Sequence, residues 1–344
     1  MSIRADLREA FTPNRLALVA GVLLIQLAFI WSYVGAFHSP KPSDIPVAVV
    51  APAQQAGQIA AQLEKIDGHP VSPQVVESRD AAEAMVKDHR VDAAYVLNPS
   101  GKQDTLVVAG GGGSGIVSAT EEIFGQVAQK QGRTVVSDDV VPLEAGDARG
   151  LTGFYLVVGW MVGGYLLAAA LGVLAGHRAQ SLHHLVIRLC VVAFHAVVSG
   201  LGGALIVDQL LGALTGHFLQ LWGIGALVVF AAAATTIALQ ALFGLIGVGL
   251  TILLFVVLGN PSAGGAFQPH LLPAFWRAIA YVLPNGAATD AVRRIVYFGS
   301  HGVGGHVLTL ALWGVIGTAV ALAATNFFNR RRPPVVVGRH EAAA

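Results

Sequence analysis

The chain has 344 residues, of which 54% are hydrophobic and only 12% charged, with a net charge of +1. A soluble domain carries roughly 25% charged residues, so this chain cannot cover a water-facing surface, and it lacks the basic face that nucleic-acid binding requires. Its single cysteine, Cys190, excludes an intrachain disulfide.

The first segment, 1–15, sets Ile3, Leu7, Ala10 and Phe11 against Arg4, Asp6, Arg8 and Glu9. This is the pattern of an amphipathic helix lying in the membrane interface, here on the cytoplasmic side. Residues 16–36 follow as an apolar stretch long enough to span a bilayer. It exceeds the 7–15 residues usual for a signal-peptide core. Only Val34-Gly35-Ala36 hints at a cleavage site, so the stretch reads as an uncleaved anchor.

All the lysines (Lys41, Lys65, Lys87, Lys102 and Lys130) fall in the next block, 37–153. Residues 45–52 (IPVAVVAP) read as a buried strand, followed by a helical stripe of Ala56, Ile59, Ala60, Leu63 and Ile66. Further strands are predicted near 71–77, 91–97, 104–108 and 133–141. Helices are predicted from a Ser78 cap to about His89 and from Ser114 to Gln131. The alternation implies an α/β domain with a mixed sheet, folding semi-independently outside the cell. Gly110-Gly111-Gly112-Gly113-Ser114-Gly115 suggests a phosphate loop, but the required GxxxxGK[ST] is missing: Gly101-Lys102 is followed by Gln103. The run reads as a flexible turn, and neither a cofactor site nor ATP hydrolysis is expected of this chain.

Five more apolar stretches lie at about 154–176, 185–207, 218–239, 241–260 and 306–328, giving a transmembrane domain over 154–328 and six spans in all. Between Thr152 and Asn260 the only acidic residue is Asp208, at a span end and read as solvated; the only basic residues are Arg178 and Arg188. His177, Arg178, His183 and His184 cluster at the second turn. No Cys, Asp or Glu stands near them at metal-ligand spacing, so interfacial residues beside anionic headgroups are the simpler reading. His195 is either a proton relay or a histidine bonded between helices. Gly159 with Gly163, and Gly172 with Gly176, form two GxxxG pairs on opposite faces of one span, suiting either close helix packing at a pore or dimer seam or generic glycine richness. The segment 261–305 is too polar to span and reads as a re-entrant hairpin dipping into the outer leaflet. Pro261, Pro273 and Pro284 shape it, Asn285 caps its second helix, and Asp290 is spaced to meet Arg293 or Arg294. Trp276, Tyr281 and Tyr297 are expected at headgroup depth. A basic tail at 329–344 carries Arg330, Arg331, Arg332 and Arg339. Positive charge at both ends and at 177–184 places both termini in the cytoplasm; Arg277, Arg293 and Arg294 run against that count.

Several stretches resemble the membrane subunits of type-2 ABC exporters, most closely the YhgE/Pip-like branch. They are IPVAVVAP, RDAAEAMVKDHRVDAAYVL (79–97), DVVPLEAGDARGLTGFYLVVGWMVGGYL (139–166) and NPSAGGAFQPHLLPAFWRAIAYVLPNGAATDAVRRIVYFG (260–299). The resemblance implies an α-helical polytopic membrane protein with an inserted extracytoplasmic α/β domain. It implies a connecting helix at 3–12 and a loop at 177–184 that touches a separate ATP-binding subunit. It also implies a homo- or heterodimer in the plasma membrane of a bacterium. Two functions follow: a permease subunit exporting a hydrophobic or amphipathic compound, or a non-transporting surface protein acting through its outer domain as receptor or secretion accessory.

Overall fold

The computed structural model describes residues 12–330. Most of the amphipathic segment expected over 1–15 and of the basic tail expected over 329–344 lies outside them. The chain enters through α1 (Pro13–Phe37), a 25-residue helix with proline in its first turn, where the missing N–H costs nothing.

A five-stranded sheet follows, in the order β2-β1-β3-β4-β5. Its strands are β1 (Ile45–Val50), β2 (Val71–Val75), β3 (Ala93–Val96), β4 (Gln103–Val108) and β5 (Thr134–Asp139). β1 runs parallel to β2 and β3, and β4 parallel to β5. Each parallel pair needs a crossover, supplied by helices α2 (Ala53–Glu64), α3 (Arg79–Lys87) and α4 (Ser114–Lys130). The short turn after β3 leaves β4 antiparallel to it. Ser78 opens α3 by accepting the Ala81 N–H at 3.2 Å. Side chains alternate across the sheet. Ile45, Val47, Val49, Tyr95 and Leu106 pack with Leu63 of α2 and Phe124 of α4, while Ala48, Ala94 and Val107 pack with Ala82 and Val86 of α3.

The helical part comprises α5 (Thr152–Ala175), α6 (Leu182–Leu210), α7 (Phe218–Phe243), α8 (Ile246–Ser262), α9 (Ala274–Ile279), α10 (Pro284–Tyr297) and α11 (Val303–Arg330). Among the described residues, α1, α5, α6, α7 and α11 are long and apolar enough to cross a membrane; α8 is shorter. At 1.5 Å per residue α8 reaches only about 26 Å, against a hydrocarbon layer of about 30 Å. The sequence places a span boundary at 239–241, but α7 continues to Phe243. The chain turns at Gly244, whose φ of +63° suits glycine.

Burial ranks the helices: 67% of α7's apolar core window is enclosed, against 6% of α1's. α7 is the axis of the bundle, and α1 leans on its edge beside α8. α8 is π-helical over Leu253–Gly259, a geometry that disturbs the regular carbonyl ladder. Two of its carbonyls are taken up from outside: Val257 accepts the Ser32 hydroxyl of α1, and Phe255 accepts the Asn285 amide of α10 at 3.0 Å. Asn285 is therefore a side-chain tie inside α10 and not its cap, which is Leu283.

The glycine pairing of α5 also differs from its sequence reading. Gly159 faces open space and Gly163 makes only ordinary contact with His195 and Ser199. The close approach falls on Gly164, where a Cβ would press on the Val229 carbonyl and Ala232, and on Gly172, where it would meet Gln240. Ala168, fully buried, lies between them. This small stripe, i, i+4, i+8, seats α5 on α7. Gly176 ends the helix at φ +82°. Asp208, read as solvated, is buried in the π-helical end of α6, and its Oδ2 has no protein partner.

Candidate functional site

The hairpin of α9 and α10 is built into both faces of the sheet. Leu271, just before α9, belongs to the core under α2 and α4, with Phe267 packed against it. Phe298, the residue that closes α10, belongs to the core under α3 and is 1% exposed. Its ring stacks on His89 with centroids 4.1 Å apart and planes 6° from parallel. Each core of the α/β unit, expected from the sequence to fold semi-independently, therefore takes in side chains from the hairpin.

The glycine run is the third part of this joint. Gly110, Gly111 and Gly112 form a buried 3-10 turn, not an exposed flexible one. A Cβ on Gly111 would strike the Tyr297 ring, and one on Gly113 would strike Gln268. The Gly111 N–H donates to the Val141 carbonyl at 2.8 Å, and Gly110 N–H to Asp139 Oδ1 at 2.9 Å. Glycine is needed because the hairpin comes within backbone contact of the loop. Asp147 completes the joint: Oδ1 accepts the first N–H of α5, from Thr152, at 2.9 Å, and Oδ2 accepts the Tyr297 hydroxyl at 2.7 Å. One carboxylate thereby ties α5 to the end of α10.

Within the hairpin, α10 lies against α5, α7 and α11 and is buried from Pro284 to Arg293. At its middle Asp290 is 1% exposed. It receives Arg294 Nε at 2.6 Å, Arg293 Nη1 at 3.4 Å and, from α11, His306 Nε2 at 2.9 Å. The arginines spread the tie further, Arg293 to the Gly264 carbonyl at 2.8 Å and Arg294 to that of His301 at 3.0 Å. The expected i+3 and i+4 pairings are both present, sealed in protein instead of facing solvent. Breaking such a buried pair from one side costs about 3–5 kcal/mol.

The aromatics expected at headgroup depth divide. Trp276 is buried against Ala36 and Leu272, and Tyr297 turns to Asp147; Tyr281 stays partly exposed, 5.2 Å from the His306 ring. Pro273 precedes α9 and Pro284 is the first residue of α10, while Pro261 is buried in the last turn of α8. Between the α/β unit and the hairpin lies a cleft of about 740 Å³, with Lys41, Arg277 and Glu122 beside Phe267 and Leu272. That volume suits a drug-sized molecule.

At the far end of the bundle the 176–181 turn is fixed by Arg178. Its Nε and Nη2 donate to the Ala241 and Leu242 carbonyls at the end of α7, both at 3.0 Å, and its guanidinium lies 4.1 Å from the centre of the Phe328 ring. Ser181 caps α6 through the His184 N–H at 3.2 Å. His183 and His184 are exposed and His177 is half-buried. Among the described residues no three His, Cys, Asp or Glu gather as metal ligands.

Sequence reasoning missed Asp147, Phe298 and His306. Asp147 could have been noticed five residues ahead of an apolar helix start; a lone Phe or His offers no such signal. A family model described as ABC-2 family transporter protein matches residues 16–323. No curated protein and no solved structure gives a significant match.

Proposed function

Because the chain belongs to the ABC-2 transporter family, and so is a multi-pass membrane component that works with a separate ATPase, we propose that it is the permease subunit of an exporter in the YhgE/Pip-like branch. Two copies, or one copy and a relative, pair across six spans each in a bacterial plasma membrane. The termini and the 177–184 loop face the cytoplasm, and the α/β unit faces outward. The substrate is a hydrophobic or amphipathic compound that leaves past the mixed polar and apolar cleft under the α/β unit. ATP binding on the partner shifts the population between two packings of the spans, with Arg178 coupling the loop to the end of α7.

The observation that carries this reading is the joint. α10 packs among α5, α7 and α11 and ends inside a core of the α/β unit, so a shift of α10 is passed to that unit. A domain held up merely for display needs no such tie. That consideration ranks export above a non-transporting receptor or secretion accessory. The test is affinity purification of the full chain in mild detergent. Stoichiometric recovery of an ATP-binding subunit with vanadate-sensitive hydrolysis is expected. Recovery of the chain alone in repeated preparations, with unchanged drug and lipid sensitivity on deletion, would leave the display reading in possession.

A further inference from the structure

A second cleft, of about 350 Å³, opens between α5 and α6 at the end of the bundle remote from the sheet. Its polar rim is Gln180, His184 and Arg188, and its walls are Leu171, Ile187 and Val191. Arg188 stands six residues into α6, about 9 Å below the helix start, and is only 8% exposed. Its Nη2 donates to the Ala175 carbonyl, the last of α5. No carboxylate among the described residues pairs with it. The only acid between Thr152 and Asn260 is Asp208, at the opposite end of the same helix. A guanidinium carries five donors in a planar fork suited to bidentate binding of phosphate, and a buried cation is costly without an anion. The Ala175 carbonyl answers one donor and none of the charge.

We propose that this cleft binds the phosphate of an anionic phospholipid from the leaflet remote from the α/β unit. Arg188 holds the phosphate, with Gln180 and His184 at the rim, and an acyl chain lies along Leu171, Ile187 and Val191. Charge complementarity selects this occupant, because the rim carries cationic and neutral groups and no acid. The apolar walls, continuing below the rim, select a lipid over a free phosphate ion. The exposed sides of Ile187 and Val191 leave a route in from the surrounding lipid. The site does not depend on what is exported.

The test uses the full chain in mild detergent. Native mass spectrometry of the wild type is expected to show retained phosphatidylglycerol in preference to phosphatidylcholine. Added phosphatidylglycerol is expected to raise the melting temperature more than phosphatidylcholine does. Arg188→Gln removes a charge-assisted contact worth about 1.5–3 kcal/mol, so phosphatidylglycerol should bind roughly tenfold or more weakly, while Arg188→Lys keeps part of the preference. Arg330→Gln, at the end of α11 and outside the cleft, should keep all of it. Equal retention of the two lipids by the wild type overturns the proposal even if the variants fail to fold. So does an undiminished preference in Arg188→Gln, or an equal thermal shift from inorganic phosphate alone.

Discussion

Asp104 and Asp290 are both sealed from solvent, and each is held by a different logic. Asp104, the second residue of β4, accepts Arg133 Nε at 2.7 Å, the Tyr95 hydroxyl at 2.6 Å and the Asn98 N–H at 2.8 Å. Burial alone pushes its carboxyl up; the bonds to Arg133, Tyr95 and Asn98 outweigh that and hold it below the ordinary carboxylate range. The same carboxylate and burial drive the Tyr95 hydroxyl upward. A carboxyl whose folded value is depressed binds its proton more readily when unfolded. Its contribution is therefore complete above the ordinary carboxylate range and disappears as pH falls through the lower, folded value. Protection of β3 and β4 in hydrogen exchange, corrected for intrinsic rates, should fall in the wild type as pH drops below the ordinary carboxylate range. Arg133→Met should cost about 3 kcal/mol at pH 7 and flatten that dependence. A variant with wild-type protection and an unchanged pH profile would show that the pair does not hold the sheet edge. Asp290, by contrast, answers two guanidiniums and an imidazole from two helices, so its work is to fix where α10 and α11 meet.

At the scale of elements, what was legible depended on whether the signal was local. β1 was readable because IPVAVVAP is a β-branched run stopped by proline, and α3 because Ser78 announces it. The end of α7 was not. From Phe218 to Gly259 the sequence is apolar almost throughout, and a single glycine at 244 marks the turn without lowering the hydropathy. Two short helices, α9 and α10, lie within 261–305, where the sequence led to a hairpin, yet the burial of α10 was hidden. Asn285, Thr289 and Asp290 read as part of a hairpin dipping into the outer leaflet, and only the neighbours show that the Asn285 amide nitrogen, the Thr289 hydroxyl and the Asp290 carboxylate find partners inside the protein. The glycine run failed for the same reason. Its backbone is irregular, as read, but its rigidity comes from Tyr297, nearly two hundred residues away. A double-mutant cycle measures that contact. Gly111→Ala forces a methyl against the Tyr297 ring and should destabilise by about 1–3 kcal/mol. Tyr297→Gly removes the whole obstacle, Cβ included, along with the Asp147 bond. If the joint is as described, thermal denaturation should show the Gly111 substitution costing far less in the Tyr297→Gly background, a coupling of about 1–2 kcal/mol. Strictly additive losses would mean that the loop and the hairpin do not meet.

For the molecule as a whole, the question is whether α10 moves against α5 when the transporter works or is a static plug between the spans. The contact lies at Gly153 and Val292. A Cβ built on Gly153 stands 3.7 Å from the Val292 Cβ, inside the 3.5–4.5 Å that a disulfide spans. Gly153→Cys with Val292→Cys, in a background where Cys190→Ser removes the competing thiol, should cross-link on mild oxidation without bending the backbone. The bond would fasten the start of α5 to the middle of α10. Through Phe298 and Tyr297 it would also fasten α5 to the sheet, leaving the 176–181 turn free at the other end. If export needs α10 to change its packing, oxidation should abolish substrate-stimulated ATP hydrolysis by the assembled complex, and reductant should restore it. The single Val292→Cys variant should stay near wild type under both conditions, and Gly153→Cys alone, which crowds the Val292 methyl, should not respond to oxidant. Full activity in an oxidised sample shown by mass spectrometry to be cross-linked would make the hairpin and its domain a fixed superstructure. The moving parts would then have to be sought elsewhere in the bundle.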